Sequence, residues 1–250
     1  MIIKTSIIQY LKDTPNSAYN SIKTEFLYHS NKLEGSTFTK DNLEKYLQEN
    51  IVEGSHKIDD IYETINSTKL FDFVVATLSE PLTKRLILEF HSMLKKNTLD
   101  QERGFAGCWK KIPNMITGTQ LELAQPWEVD IRIEELLNEW NISEKKLDDI
   151  MRFHARFEKI HPFQDGNGRI GRFLMLKQCI ENCIDLILID DEYSKQYKEA
   201  LYRAQTENEY AELKRIFISC QERLNDKLSF LKETLEYMET YNVKMNEPSI

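Results

Sequence analysis

Residues that interrupt regular secondary structure are scarce in this chain, which has only 8 glycines and 6 prolines among its 250 residues. A protein built from many short strands needs frequent turns, so this scarcity favours long helices. Apolar residues also recur at helical spacing along most of the chain. We place helices at 17–33, 39–51, 58–78, 82–94, 127–140, 144–160, 192–205 and 207–241. The sequence therefore predicts an all-α core.

The stretch that departs from helical spacing is residues 104–126, which hold three of the eight glycines. Two short extended pieces, Trp109–Met115 and Leu121–Leu123, flank Gly118. A glycine between two extended pieces is typical of a hairpin turn. We therefore expect one β-hairpin inserted into the helical core.

The chain is acidic, with 33 basic against 41 acidic residues and a formal net charge of −8. This charge argues against binding to the phosphate backbone of a nucleic acid, although it leaves room for a local basic pocket that takes one nucleotide. Residues 1–16 lack the continuous apolar stretch of a signal peptide, and no later segment approaches the apolar length of a membrane span. We expect a cytoplasmic protein without a membrane partner.

The cysteines contain no Cys-x-x-Cys pair and are Cys108, Cys179, Cys183 and Cys220. Cys179 and Cys183 are four residues apart and are predicted to share a helix face. The pattern favours small buried side chains in a reducing compartment over metal ligands.

Residues 161–172 read His-Pro-Phe-Gln-Asp-Gly-Asn-Gly-Arg-Ile-Gly-Arg and lie between two predicted helices. We call this segment the glycine loop. Gly166 and Gly168 flank Asn167, so the backbone can adopt positive φ and turn successive N–H groups toward one point. The start of the next helix adds free N–H groups and the positive end of its dipole. The glycine loop is therefore predicted to bind phosphate groups.

Charged and titratable side chains of the glycine loop suit the same ligand. Arg169 and Arg172 are three residues apart on the first helical turn, so both can reach one anion. Asp165 is placed to hold Mg²⁺ against a phosphate. His161 ends the preceding helix with a base that works near neutral pH. A glycine-rich helix cap with surface arginines is the alternative, but a cap needs only one polar residue.

The glycine loop resembles, at every defined position, the signature His-Pro-Phe-x-Asp/Glu-Gly-Asn-Gly-Arg-x-x-Arg of the Fic family. The resemblance implies a Fic-type helical domain with a β-hairpin flap, from about Thr39 to Cys220. It also implies an enzyme that uses Mg²⁺ and transfers AMP from ATP to a Tyr, Ser or Thr hydroxyl of a target protein. The related Doc branch, which resembles a kinase, has lysine at the position of Gly168. The glycine therefore favours AMP transfer over phosphate transfer.

The resemblance assigns roles to individual residues of the glycine loop. It implies that His161 is the general base and that Asp165 holds Mg²⁺ between the α- and β-phosphates. It further implies phosphate contacts from the turn at Gly166, Asn167 and Gly168, from Arg169 near the β-phosphate, and from Arg172 at the γ-phosphate.

A second motif, Ser30-Asn31-Lys32-Leu33-Glu34-Gly35, resembles the inhibitory pattern Ser/Thr-x-x-x-Glu-Gly/Asn of the same family. Ser30 and Glu34 are four residues apart and share a helix face. The resemblance implies that Glu34 pairs with Arg172 at the γ-phosphate position and inhibits the enzyme. It places the chain in the subclass with an N-terminal inhibitory helix (class II), with residues 1–38 as the inhibitory segment and 39–250 as one compact catalytic unit.

Further contacts are implied by the same resemblance. The hairpin is expected to dock an extended segment of the target through Met115, Ile116, Thr117 and Gly118. The adenine side of the nucleotide is expected to meet one helix face that carries Tyr197, Leu201 and Gln205. Core packing explains that helix face equally well. A homo-oligomer that modifies itself is a further expectation.

Three other functions remain open at this point. The same site can remove AMP from a modified protein, with Glu34 positioning water. The chain can be a nucleotide-binding regulatory module with little catalysis, although binding alone has no need of His161. A metal hydrolase that uses His154, His161 and Asp165 is the third.

Overall fold

The computed structural model describes residues 4–12, 14, 17–116, 118–231, 235–237 and 240. This part of the chain contains eleven α-helices, followed by a 3₁₀ turn at Ser229–Leu231. The helices are α1 Thr5–Leu11, α2 Ala18–Leu33, α3 Lys40–Glu49, α4 Ile58–Ala76, α5 Lys84–Leu94, α6 Leu99–Glu102, α7 Val129–Ile142, α8 Leu147–Ile160, α9 Asn167–Glu181, α10 Ser194–Glu207 and α11 Ala211–Lys227. The all-α prediction is confirmed.

Helix α9 forms the centre of the molecule. Of its 15 residues, 13 are buried, on every side of the helix. A helix buried all round must be surrounded by other elements, and α2, α4, α5 and α8 pack directly against it. The first two turns of α9 carry both glycine-loop arginines, so these side chains lie inside the protein and not on its surface.

Side-chain capping sets the start of two helices. The Thr39 hydroxyl accepts the Asn42 N–H at 3.1 Å at the start of α3. The Thr83 hydroxyl accepts the Leu86 N–H at 3.2 Å at the start of α5. Such caps satisfy backbone donors that have no partner inside the helix. The cap at Thr39 lies at the start of the helix predicted over 39–51.

Several predicted helix ends are wrong. The helix predicted over 207–241 begins at Ala211 and is interrupted after Lys227 by the turn at Ser229–Leu231, which buries Leu228 and Leu231. Residues 235–237 and 240 are helical again. Residues 241–250 lie outside the described residues. Helix α9 ends at Glu181, so Cys183 lies beyond it with φ 52° and does not share a helix face with Cys179. Helices α1 and α6 are short and were not predicted.

The described part of residues 104–126 contains no strand, so the predicted β-hairpin is wrong there. The segment uses its hydrogen-bonding groups on the glycine loop instead of on itself. The Lys110 N–H donates to Pro162 O at 2.8 Å, and Asn114 Nδ2 donates to Phe163 O at 2.9 Å. Pro113 has no N–H to give to a strand ladder. Thr117 lies outside the described residues.

The cysteines are all free thiols: Cys179 and Cys220 are buried, Cys108 is half-buried and Cys183 is exposed. Burial was therefore predicted correctly for two of them. Within the described ranges, none of the helices combines the length and the apolar character needed to cross a bilayer.

Candidate active site

The glycine loop joins α8 to α9 through two residues in the left-handed region. His161 ends α8 with φ 50° and ψ 61°, and Gly166 precedes α9 with φ 84°. A Cβ at Gly166 would lie 3.1 Å from Lys95 Cε, so glycine serves both the backbone conformation and a close approach. The Asn167 side chain closes the loop, because Oδ1 accepts the Phe163 N–H at 2.8 Å and Nδ2 donates to Phe163 O at 2.9 Å. Because both polar atoms of the Asn167 side chain are bonded to Phe163, the predicted phosphate contact by Asn167 is left to its main-chain N–H and stays a prediction.

His91 of α5 supports the glycine loop through a ring nitrogen and through the face of its ring. Its Nδ1 accepts the Gly107 N–H at 3.1 Å, which leaves Nε2–H to donate to Asp165 O at 3.0 Å. Its ring is stacked on Phe163 with centroids 3.8 Å apart. Burial lowers the pKa of His91 to about 3, so the ring is neutral in this role.

His161 is arranged as a base. Its Nδ1 lies 3.3 Å from Glu158 O, and the carbonyl assigns the proton to Nδ1. The Nε2 lone pair is then available to take a proton. Burial lowers the pKa of His161 to about 4, and the nearby Lys110 ammonium acts in the same direction. The imidazole is therefore neutral at physiological pH.

Asp165 and Arg169 belong to a cluster of charges that we call the Arg169 cluster. Arg169 Nη1 donates to Glu63 Oε2 at 2.5 Å, and its Nη2 donates to Asp165 Oδ2 at 3.4 Å. Asp165 Oδ2 also pairs with Lys95 Nζ. Burial alone would raise the pKa of Asp165, but Lys95 and Arg169 lower it to about 2. The cluster is completed by Asp100.

The Mg²⁺ implied by the family fits the residues present. The Asp165 side chain is 59% exposed beside the glycine loop, and hard carboxylate oxygens are the ligands that Mg²⁺ prefers. Ligand oxygens of Glu63, Asp100 and Asp165 lie within 4.8 Å of one another. The groups of metal-ligating side chains found among the described residues include no histidine. His154 is buried, and its Nε2 lies 2.7 Å from the Tyr197 hydroxyl, which disfavours the metal hydrolase.

Arg172 meets the end of α2, as the sequence predicts, and we call Ser30, Glu34 and Arg172 the Arg172 cluster. Arg172 Nη2 donates to Glu34 Oε1 at 2.6 Å. Its Nε donates to Ser30 Oγ at 3.0 Å, and Nη2 also donates to Ser30 O at 2.9 Å. Burial would raise the pKa of Glu34, but Arg172 and then Arg169 lower it, so the carboxylate is ionised.

Gly168 provides the space for this contact. A Cβ at Gly168 would overlap Glu34 Oε1 and lie 3.0 Å from Arg172 Nη1. The Glu34 carboxylate therefore rests directly on the anion-binding turn. It occupies a position beside the helix N-terminus where a negative group is favoured.

A groove of about 1080 Å³ opens at the end of α8, and its lining residues do not include the glycine loop. It is lined by residues 120–125 together with parts of α8 and α10, and Gln205 is one of its lining residues. Tyr197 is buried and Leu201 is half-buried against the core, and neither of them lines the groove. Of the predicted docking residues, Met115 is 83% exposed, while Ile116 is half-buried and Gly118 is exposed.

Sequence reasoning missed the residues that support the glycine loop from α4, α5 and α6: Glu63, His91, Lys95 and Asp100. A signal existed for two of them. His91 and Lys95 continue at four-residue spacing from the buried Ile87, on the apolar side of α5. Polar residues in a buried row need partners, but nothing in the pattern names Glu63 or Asp100 as those partners.

Part of the sequence and the fold match known proteins. The sequence model of the Fic/DOC family matches residues 81–179. A Fic domain-containing signalling protein from Bacteroides thetaiotaomicron superposes with a TM-score of 0.72 and 24% identity, over 88% of this chain and 92% of that one. Fic-1 from C. elegans superposes with a TM-score of 0.73 and 17% identity, over 92% and 71% of the two chains. The chain therefore has the all-α Fic-domain fold, and residues 81–179 match the Fic/DOC family model.

Two curated relatives are adenylyltransferases by name. The probable protein adenylyltransferase of Aquifex aeolicus is 34% identical over 109 residues, which are 42% of this chain and 32% of the relative. The protein adenylyltransferase Fic of Culex quinquefasciatus is 23% identical over 223 residues, which are 86% of this chain and 43% of the relative. The chain thus spans less than half the length of these two relatives.

Proposed function

We propose that this protein is a protein adenylyltransferase that transfers AMP from ATP to a hydroxyl group of a target protein. The observation that carries the proposal is the glycine loop, where a neutral His161 stands beside an anion-binding turn with Asp165, Arg169 and Arg172. Two relatives with this activity in their names support the assignment.

The chemistry divides between the base and the cations. His161 Nε2 takes the proton from the target hydroxyl, the oxygen attacks the α-phosphorus, and pyrophosphate leaves as the phosphoanhydride bond breaks. The N–H groups at the start of α9 bind the phosphate chain, and the two arginines neutralise its charge. Mg²⁺ held by Asp165 supplies further charge neutralisation on the phosphates. Gly168 leaves the turn open, which supports AMP transfer over phosphate transfer.

We propose that the groove binds the adenine side of ATP and that the 109–123 segment binds the target protein. Gln205, which lines the groove, and Leu201 are proposed on the adenine side, with Tyr197 supporting them from the core. The exposed Met115 and its neighbours are proposed to contact the target. Self-modification within a homo-oligomer belongs to the same proposal.

The Arg172 cluster supports an autoinhibited state. Glu34 and Ser30 occupy three hydrogen-bonding positions of Arg172, which the γ-phosphate needs. A charge-assisted contact in a buried site is strong enough to compete with a phosphate oxygen. We assign residues 1–38 the inhibitory role and 39–250 the catalytic role, as in the class II arrangement.

The test is incubation with α-labelled ATP, Mg²⁺ and a cell extract that supplies targets. Wild type is compared with His161→Ala and Glu34→Gly. Label on protein that is stronger for Glu34→Gly and lost for His161→Ala is expected. Label that survives His161→Ala removes the proposed base, and equal labelling by Glu34→Gly and wild type removes the inhibition. Release of AMP from pre-labelled protein that requires Glu34 would indicate the reverse reaction instead.

A further inference from the structure

A lysine ammonium lies in the middle of the three carboxylates beside the glycine loop. We call Glu63, Asp100 and Asp165 the acidic triad. Lys95 Nζ lies 2.5 Å from Glu63 Oε1 and 2.9 Å from Asp100 Oδ2, and it also pairs with Asp165 Oδ2. The three N–H donors of an ammonium thus match three separate carboxylates. The Lys95 side chain is only 1% exposed, so the charge is enclosed.

The backbone around Lys95 is fixed on both sides. Asn66 Nδ2 of α4 donates to Leu94 O at 3.0 Å and to Lys96 O at 2.6 Å. The Thr98 hydroxyl donates to Lys95 O at 2.8 Å. Gly166 then approaches the Lys95 stem closely, as described above. These contacts fix the backbone of Lys95 at the end of α5, and its side-chain stem packs against the glycine loop.

Lys95 and Arg169 together neutralise most of the negative charge of the acidic triad. Two cations, Lys95 and Arg169, face the three carboxylates of the acidic triad, which leaves one negative charge in excess. Without Lys95, the triad would present carboxylate oxygens within 4.8 Å of one another. Clustered carboxylate oxygens attract a divalent cation, so the ammonium occupies the position that such a cation would take.

We propose that Lys95 is a positioning residue that makes divalent-cation binding conditional on a nucleoside triphosphate. Lys95 pairs with one oxygen of each carboxylate, and only Asp165, whose side chain is 59% exposed, remains accessible as the triad's contribution to a metal. One carboxylate is too few for a hard divalent ion, which then needs phosphate oxygens from the nucleotide to complete its ligands. Metal therefore enters with the nucleotide and not before it. The dependence of metal binding on a nucleotide rests on the proposed function, whereas the competition between Lys95 and a cation for the acidic triad does not.

The experiment measures Mn²⁺ binding directly, by the loss of the free Mn²⁺ electron paramagnetic resonance signal, without target protein. Wild type and Lys95→Met are titrated with and without a non-hydrolysable ATP analogue. Without nucleotide, Lys95→Met is expected to bind one Mn²⁺ at least about tenfold more tightly than wild type, because a unit charge is removed from the triad. Wild type is expected to gain comparable binding only when the analogue is added.

Matched variants separate charge from burial. Lys177→Met removes an equally buried lysine at the far end of α9, where it pairs with Glu181, and should leave Mn²⁺ binding unchanged. Lys95→Met combined with Glu63→Gln should lose the gained site. Circular dichroism reports whether each variant is folded.

Two outcomes overturn the inference. One is equal Mn²⁺ binding by folded Lys95→Met and wild type in the absence of nucleotide. The other is tight nucleotide-independent binding by wild type, which needs no variant to fold. Neither outcome depends on AMP transfer, so failure of the labelling experiment and failure of this one are distinguishable.

Discussion

Arg169 and Arg172 lie one turn apart on α9, yet different parts of the chain hold them. The partners of Arg169 come from α4 and from the glycine loop, and the lysine at the end of α5 holds the same carboxylates. The partners of Arg172 come from the last turn of α2. Both arginines are buried, with side-chain exposures of 6% and 5%. Burial is therefore not what distinguishes them.

The difference lies in the carboxylates. Glu63 lies inside α4, in its second turn, with a 16% exposed side chain, whereas Glu34 ends α2 with 31% exposure and is followed by Gly35 at φ 85°. A carboxylate at a helix end can move away with a few residues, while one in a central helix cannot. We therefore expect Glu63 to be a permanent part of the site and Glu34 to be a removable contact.

The largest expected effect is on stability. Arg169→Met leaves buried carboxylates without one of their cations and should lower the free energy of unfolding by about 3–5 kcal/mol. Arg172→Met should cost less, about 1–3 kcal/mol, because the partly exposed Glu34 can be hydrated. Urea unfolding of both variants measures the difference. Equal costs would contradict the distinction between the two clusters.

The next effect is on activity and uses one chemical change at two positions. Glu34→Gln removes the charge from the removable contact and should raise AMP transfer by about tenfold, since a charge-assisted hydrogen bond is weakened. Glu63→Gln removes the charge from the permanent contact and should lower transfer, because Arg169 loses its fixed position. Rates with α-labelled ATP check both. If both variants change the rate of AMP transfer in the same direction, the contacts of Arg169 and Arg172 do not differ in function.

Much of this arrangement was predictable from the sequence because the responsible residues are close together or matched in type. The glycine loop holds a base, a carboxylate, a glycine turn and two arginines within twelve residues. The family resemblance of the Ser30–Glu34 motif implies the observed contact with Arg172, which spans 138 positions of the chain. Local caps such as Thr39 were predictable for the same reason, since a cap involves only residues three apart.

What could not be predicted depends on contacts between distant segments. Glu63, Lys95 and Asp100 are ordinary helix-surface residues until α4, α5 and α6 come together. The 109–123 segment was predicted as a hairpin because glycine and extended residues are typical of one. Its backbone instead bonds to the glycine loop at Pro162, a partner that no local pattern reveals.

A double-mutant cycle with Gly168 and Glu34 tests whether the Glu34 carboxylate lies against the first turn of α9. Gly168→Ala places a methyl group where Glu34 Oε1 lies, so it should destabilise wild type but cost less in a Glu34→Gly background. A coupling energy of about 1 kcal/mol is expected for groups in contact. Thermal or urea unfolding of the two single variants and the double variant gives this value. Additive costs would mean that Glu34 does not rest on the turn in solution.

The smallest expected effect is a pH dependence of the removable contact. The folded pKa of Glu34 lies below the ordinary value of 4.5, because Arg172 and Arg169 outweigh burial. A depressed carboxyl pKa contributes stability that is present above the ordinary value and is lost as the pH falls through the folded pKa. The difference in Tm between wild type and Glu34→Gln should therefore be constant above pH 4.5 and shrink below it. Glu199→Gln, which breaks an exposed pair with Lys195, should show almost no difference at any pH. A Glu34 difference that is already lost near neutral pH would mean that the carboxylate is not held between the two arginines.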